Sequence, residues 1–392
     1  MKKIPYFILF FLLLCVIVCP SAVVAHAEEG AMENGEEKLM EQIDLLLNEL
    51  DLSELQNYLD EFAQFKGVSV KEKLKEVLSG DFSINYKSLF DGILSLFWEE
   101  VSVLLPAFAM ILAITLLCSV INTAKSDILH SSMSDIIYYI SYLCVGAIVL
   151  SCLISVLNAG FDTVQQMKMQ MQLLYPVLLT LMAGSGGVVS ASIFRPAVAF
   201  LSSGIVELFT SVVFPVAILI IVLSFVGSLS DSFRLKKLSE LFQSVCKWLI
   251  GLSLGLFSFY LTVQGITSAQ YDGISLRAAK YAVSSSVPIV GGFLSGGIEL
   301  VLAGSAIIKN AVGSFSLFLL VGTIVKPLML FVSLQLFLRF SAAATESIGG
   351  RVSAFLSRLS SSLSYFIAGI LCVAFLYFIT VLMLVCSSGV IL

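Results

Sequence analysis

The chain is 392 residues long, 58% hydrophobic and only 12% charged, where a soluble protein carries about 25% charged residues. That composition excludes intrinsic disorder, a secreted disulfide scaffold and a nucleic-acid-binding domain. The formal charge of −5 conceals two opposite parts. Residues 28–100 hold 18 acidic residues against six lysines and no arginine, a net of −12, whereas residues 101–392 hold 14 basic and nine acidic residues, a net of +5.

Residues 1–27 read as a secretory signal peptide: Lys2 and Lys3, an apolar run from Ile4 to Val18, Pro20, and the small-x-small pattern Ala25-His26-Ala27. Cleaved or retained as an anchor, this segment starts residue 28 outside the cytoplasm. Residues 28–98 form an acidic extracytoplasmic module. Leu39, Ile43, Leu46 and Leu50, then Leu55, Leu59 and Phe62, recur at helical spacing. Asp51 with Glu54 and Ser69 with Glu72 have capping-box spacing. About 70 residues with one apolar stripe per helix make a small bundle that is marginal alone. The stripe therefore serves either a solvated cap on the membrane domain or a surface that completes its burial against a partner protein.

Residues 99–392 form a polytopic membrane domain. Its apolar segments are 101–121, 136–159, 172–194, 205–227, 248–268, 287–308, 312–338 and 363–386, most of them near the roughly 20 residues that a spanning helix needs. Eight simple crossings from an outside start leave seven Lys/Arg inside and six outside, a poor fit to the positive-inside tendency. A duplication gives a second drawing. Pro176 and Pro288 stand 112 residues apart, as do Pro215 and Pro327, which suggests repeats 172–268 and 287–386. Each repeat then opens with a re-entrant hairpin, one turning at Gly184, Gly186 and Gly187, the other at Gly296 and Gly297. The fold expected is all-α, with six spans plus two hairpins as the alternative to eight crossings.

Two basic segments follow the long spans. Arg234, Lys236 and Lys237 accompany Leu235, Leu238 and Leu241, and Arg351 and Arg358 accompany Val352, Phe355 and Leu359. This pattern suits helices lying on anionic headgroups, or a cytoplasmic docking surface. Gly251-x3-Gly255 and Gly292-x3-Gly296 have the spacing for close helix approach, here within the chain. Glu207, Glu299 and Lys326 lie deep in apolar segments, where an unpaired charge costs several kcal/mol. They are candidates for an intramembrane polar pathway, with Glu299 paired to Lys326, or for a buried structural pair.

His26 and His130 are the two histidines, and the six cysteines beyond the signal segment sit in or next to apolar runs. The sequence holds no G-x4-G-K-[ST], HExxH or G-x-S-x-G element. It therefore points to no catalytic, metal-ligating or cofactor-binding constellation, and an enzyme is not expected.

The stretch from Tyr271-Asp272-Gly273 through Arg277 and Lys280 to Pro288 and Gly291-Gly292-Phe293-Leu294-Ser295-Gly296-Gly297 resembles the stage III sporulation protein AE family of endospore-forming Firmicutes. The likeness runs through signal segment, acidic module and Gly-rich membrane domain. It implies a component of the channel-like, secretion-like complex linking mother cell and forespore, seated in the outer forespore membrane. Its implied partners are membrane lipids, a cytoplasmic ATPase and ring-forming proteins of the intermembrane space. Two functions from different classes remain: the membrane core or assembly platform of that complex, and a self-contained secondary transporter suggested by the repeat, the broken Gly-rich segments and the buried charges.

Overall fold

The computed structural model describes residues 43, 45–47, 52–61, 69–78, 86–124, 131–229, 235–286, 291–346 and 350–387. The signal segment, Arg234 and residues 287–290 of the expected apolar segment 287–308 lie outside them. Every regular element among the described residues is helical, as the all-α reading expects.

Two short helices, α1 (Ser53–Glu61) and α2 (Val70–Leu78), belong to the acidic module. The predicted capping signal holds at α2, where the Glu72 amide donates to Ser69 Oγ at 3.4 Å. Val70 N donates to Gln56 Oε1 at 2.9 Å, which ties α2 to α1. Leu55, Leu59 and Leu74 are buried, and the two helices pack on the membrane helices rather than on each other alone. The described stripe residues Ile43, Leu55 and Leu59 are thus covered within this chain.

The membrane helices are α3 (Tyr86–Ala124), α4 (Ser131–Gly184), a run of α5 (Val188–Ala199), α6 (Val206–Leu208) and α7 (Phe214–Leu229), then α8 (Lys236–Ser286), α9 (Gly291–Glu346) and α10 (Gly350–Cys386). Six of the described stretches are long and apolar enough to cross a membrane: Leu94–Leu117, Tyr139–Gly184, Val188–Gly227, Lys237–Gln264, Val301–Glu346 and Val352–Cys386. The described residues therefore give six candidate spans rather than eight. Segment 136–159 and the part of 172–194 up to Gly184 belong to one helix, α4, and 291–308 and 312–338 to another, α9. At 1.5 Å per residue, the 54 residues of α4 extend about 81 Å, far beyond a hydrocarbon core of roughly 30 Å. The polar stretch between its apolar halves continues the helix because Gln, Met and Lys are good helix formers. It is also amphipathic, burying Val164, Met167 and Met171.

The first predicted hairpin does turn where expected. Gly187 N bonds Met182 O and Gly186 N bonds Ala183 O, a Schellman cap with Gly186 at φ 93°. A Cβ there is strained, so glycine is the fitting residue. The second expected turn is a correction: Gly296 and Gly297 lie inside α9, which runs unbroken from Gly291. Adjacent glycines weaken a helix without obliging it to reverse.

Helix α10 forms the centre and packs on α9, α4, α7 and α8. From Phe366 to Val385 it is apolar on nearly every side, as a helix enclosed by others must be. A ring cluster fastens the middle of the bundle. Phe214 of α7 stacks on Phe366 of α10 at 4.9 Å and meets Phe161 of α4 edge-on at 5.1 Å, while Phe331 of α9 stacks on Phe366 at 6.1 Å. By contrast α3 and α8 are peripheral. Val103 is 70% exposed and Trp248 73%, surfaces that suit lipid contact.

The expected close packing at Gly251 and Gly255 is not formed: a Cβ at either meets nothing within 4 Å. Tight approaches lie elsewhere, at Gly369, where a Cβ would come 2.7 Å from Phe214 Cε1, and at Gly146, 2.5 Å from Phe225 Cε2.

Candidate functional site

The residues expected to form an intramembrane pathway do not assemble as a group. Glu299 and Lys326 both lie on α9. Their separation of 27 positions corresponds to about 40 Å along a helix, so the expected pair is not formed within the chain. The side chain of Glu299 lies outside the described residues, and Lys326 is exposed.

Glu207 has a different partner. Its Oε2 lies 3.7 Å from Lys168 Nζ of α4, with the two side chains 60% and 24% exposed. Ser211 Oγ donates to the other carboxylate oxygen. The backbone here is unusual: α6 is a three-residue link between π-helical stretches at Phe200–Ile205 and Phe209–Val213. Such widened turns recur at functional sites. Lys168 went unnoticed in the sequence because the segment boundaries placed it in a loop.

A second constellation, not anticipated in the sequence, lies between α4, α9 and α10. Gln170 Nε2 donates to Thr323 Oγ1 at 2.6 Å, and Thr323 in turn donates to Leu319 O. Tyr175 and Tyr377 meet edge-on with ring centroids 5.6 Å apart. All four side chains have essentially no exposed surface. Tyr58 of α1 closes this seam from outside the bundle. Its hydroxyl faces Gln170 and donates, at a long 3.5 Å, to Gln166 O. Burial pushes the Tyr58 hydroxyl up to about 12, with the Gln170 hydrogen bond opposing part of that rise.

The basic segments come to one end of the bundle. Tyr365 donates to Gln243 and Cys372 to Ile250 O, both across 122 positions, so α8 and α10 run parallel. Lys237 and Arg358 are exposed there; the side chains of Lys236 and Arg351 lie outside the described residues. The second basic segment does not lie flat. Val352, Phe355 and Leu359 are buried against the bundle, and α10 is held to α9 by Gln335 Nε2, which donates to Ser360 O at 3.2 Å and Ser364 Oγ at 2.8 Å. Leu238 and Leu241 of α8 do remain exposed, as a headgroup-facing segment requires.

A family model described as Stage III sporulation protein AE matches residues 68–388. The chain belongs to that family. A curated relative, Stage III sporulation protein AE of Bacillus subtilis (strain 168), is 26% identical over 322 residues, covering 82% of this chain and 81% of its own. No solved structure matches. Family membership and the six long apolar helices together make this a multi-pass membrane protein of sporulation. The matched region takes in α2 and all the membrane helices, with the Tyr271–Gly297 stretch inside it.

Proposed function

We propose that the chain is the membrane core and assembly platform of a channel-like, secretion-like complex between mother cell and forespore. It would sit in the mother-cell-derived outer forespore membrane with its acidic module on the extracytoplasmic side. One observation carries this reading. With Ile43, Leu55, Leu59 and Leu74 spent on the bundle, Glu54 and Asp60 of α1 remain exposed, as does Glu72 of α2 between the exposed Lys71 and Lys75. These carboxylates belong to a region of net charge −12, and a charged, rigidly seated surface suits steered association with ring-forming proteins of the intermembrane space.

At the other end, Lys237 and Arg358 offer a cationic face to a cytoplasmic ATPase or to anionic headgroups. The chain has no nucleotide-binding loop of its own, which suits a subunit energised by another protein and not itself an enzyme. The transporter reading is favoured by one local feature, the Lys168–Glu207 pair beside the π-helical stretches.

Crosslinked pull-down from sporulating cells, with residues 28–98 present or deleted, tests the platform. Loss of partner proteins on deletion supports it; full recovery of partners with normal spore development contradicts it. Glu207→Gln separates the alternatives. A transporter loses activity with its complexes intact, whereas the platform tolerates the change.

A further inference from the structure

Buried polar atoms nearly always have hydrogen-bond partners, from protein or from ordered water. In the seam between α4, α9 and α10, three do not find one in the protein: Gln170 Oε1, Tyr175 OH and Tyr377 OH. Tyr175 and Tyr377 are in edge-on contact, Tyr58 lies within electrostatic range of Tyr377, and the same Tyr58 faces Gln170. Thr380 spends its hydroxyl proton on Leu376 O at 2.7 Å, and its oxygen is the group that Tyr175 can hydrogen-bond. Thr323 likewise spends its hydroxyl proton on Leu319 O. The wall therefore presents the Tyr377 phenolic donor, the Gln170 amide acceptor and the lone pairs of the hydroxyls, that of Tyr175 included.

A ligand for that wall must both accept and donate hydrogen bonds and be small and uncharged. A carboxylate would leave Gln170 Oε1 repelled, and a cation would leave the phenolic proton opposed. Water meets the requirement.

We infer that Gln170, Tyr175 and Tyr377 bind ordered internal water inside the bundle, and that Tyr58 of the acidic module is the lid over this site. The placement of Tyr58 supports the second half. It is 5% exposed, comes from a helix outside the bundle, and its neighbours Leu55 and Leu59 fasten it there. Seating of the module and sealing of the site are one event. Lifting α1 would open a polar seam lined by α4, α9 and α10 to bulk solvent.

X-ray hydroxyl-radical footprinting of the full chain in lipid nanodiscs tests this, because radicals form at bound water and label the side chains touching it. Tyr142 is the internal reference. It is 1% exposed, but its hydroxyl is satisfied by Phe225 O at 2.8 Å. Tyr175 and Tyr377 should be labelled at least several-fold faster than Tyr142, and Tyr377→Phe should lower Tm. Labelling no faster than at Tyr142, or a Tm that rises when the orphan hydroxyl is removed, overturns the water site. For the lid, Tyr58→Ala should speed labelling at Tyr377 several-fold further, and Tyr58→Phe, which keeps the ring, should leave it at the wild-type rate. Equal labelling in Tyr58→Ala and wild type overturns the lid.

Discussion

Leu59→Ala tests the seating of the acidic module on the bundle. Leu59 has no exposed surface, and it sits on the buried side of a nine-residue helix whose other face, with Glu54 and Asp60, is exposed. Truncating a fully buried leucine costs about 2–5 kcal/mol in lost transfer energy and cavity formation. At about 1.4 kcal/mol per tenfold, the docked-to-undocked ratio falls by roughly 30-fold to a few thousand-fold. The cost falls on docking because α1 is separate in sequence from the ring cluster of Phe161, Phe214, Phe331 and Phe366 that fastens the membrane helices. Limited trypsin digestion reads the open population when closing outpaces cleavage, and exposed Lys71 and Lys75 of α2 supply the sites. Cleavage in α2 should accelerate by at least about 30-fold, with the membrane core still resistant. Glu54→Ala, on the exposed face, should change it by less than about threefold. If Leu59→Ala is cut no faster than Glu54→Ala, the stripe does not hold the module.

Three further outcomes follow from other parts of the bundle. Gly369→Ala pushes a methyl group to 2.7 Å from Phe214 Cε1 and should destabilise by about 1–3 kcal/mol, whereas Gly251→Ala meets open space and should leave Tm in nanodiscs unchanged or slightly higher. Gln335→Leu removes the bonds to Ser360 O and Ser364 Oγ; interhelical bonds in membranes are worth about 0.6–1.7 kcal/mol, so steric-trap unfolding should show a loss of that order. Because the Tyr58 hydroxyl is raised from 10.0 to about 12, its neutral form is the one that docks. Its contribution is complete below pH 10 and is lost as pH rises through about 12. In a spectroscopic titration at 295 nm, the difference between wild type and Tyr58→Phe should contain a phenolate transition near pH 12, and a transition at 10 would contradict the buried position.

Much of the architecture is legible in the composition. Long apolar runs and a charge break at residue 100 specify a helical membrane domain with an acidic head, and Gly184, Gly186 and Gly187 mark a real turn because Gly186 needs positive φ. The second glycine pair misleads, since Gly296 and Gly297 meet no such requirement and remain helical. Hydropathy alone also splits α4 and α9, because a polar stretch such as 160–171 reads as a loop when its buried face is not considered. The same division hides Lys168 from Glu207 and Lys309 from the core, where Lys309 is 1% exposed. The tyrosine seam leaves no local signature at all. Tyr58, Tyr175 and Tyr377 are more than 100 positions apart, and only the packing of α1, α4 and α10 brings them together.

In the proposed platform, the exposed carboxylates Glu54, Asp60 and Glu72 of the seated module recruit its partners. The direct measurement is quantitative crosslinked pull-down from sporulating cells of a Glu54→Lys, Asp60→Lys, Glu72→Lys variant, with trypsin resistance of α2 confirming that the module is still docked. The variant should show wild-type membrane insertion and docking, together with loss of extracytoplasmic partner proteins. Partner recovery equal to wild type, with the module seated and its charge reversed, would contradict the proposal.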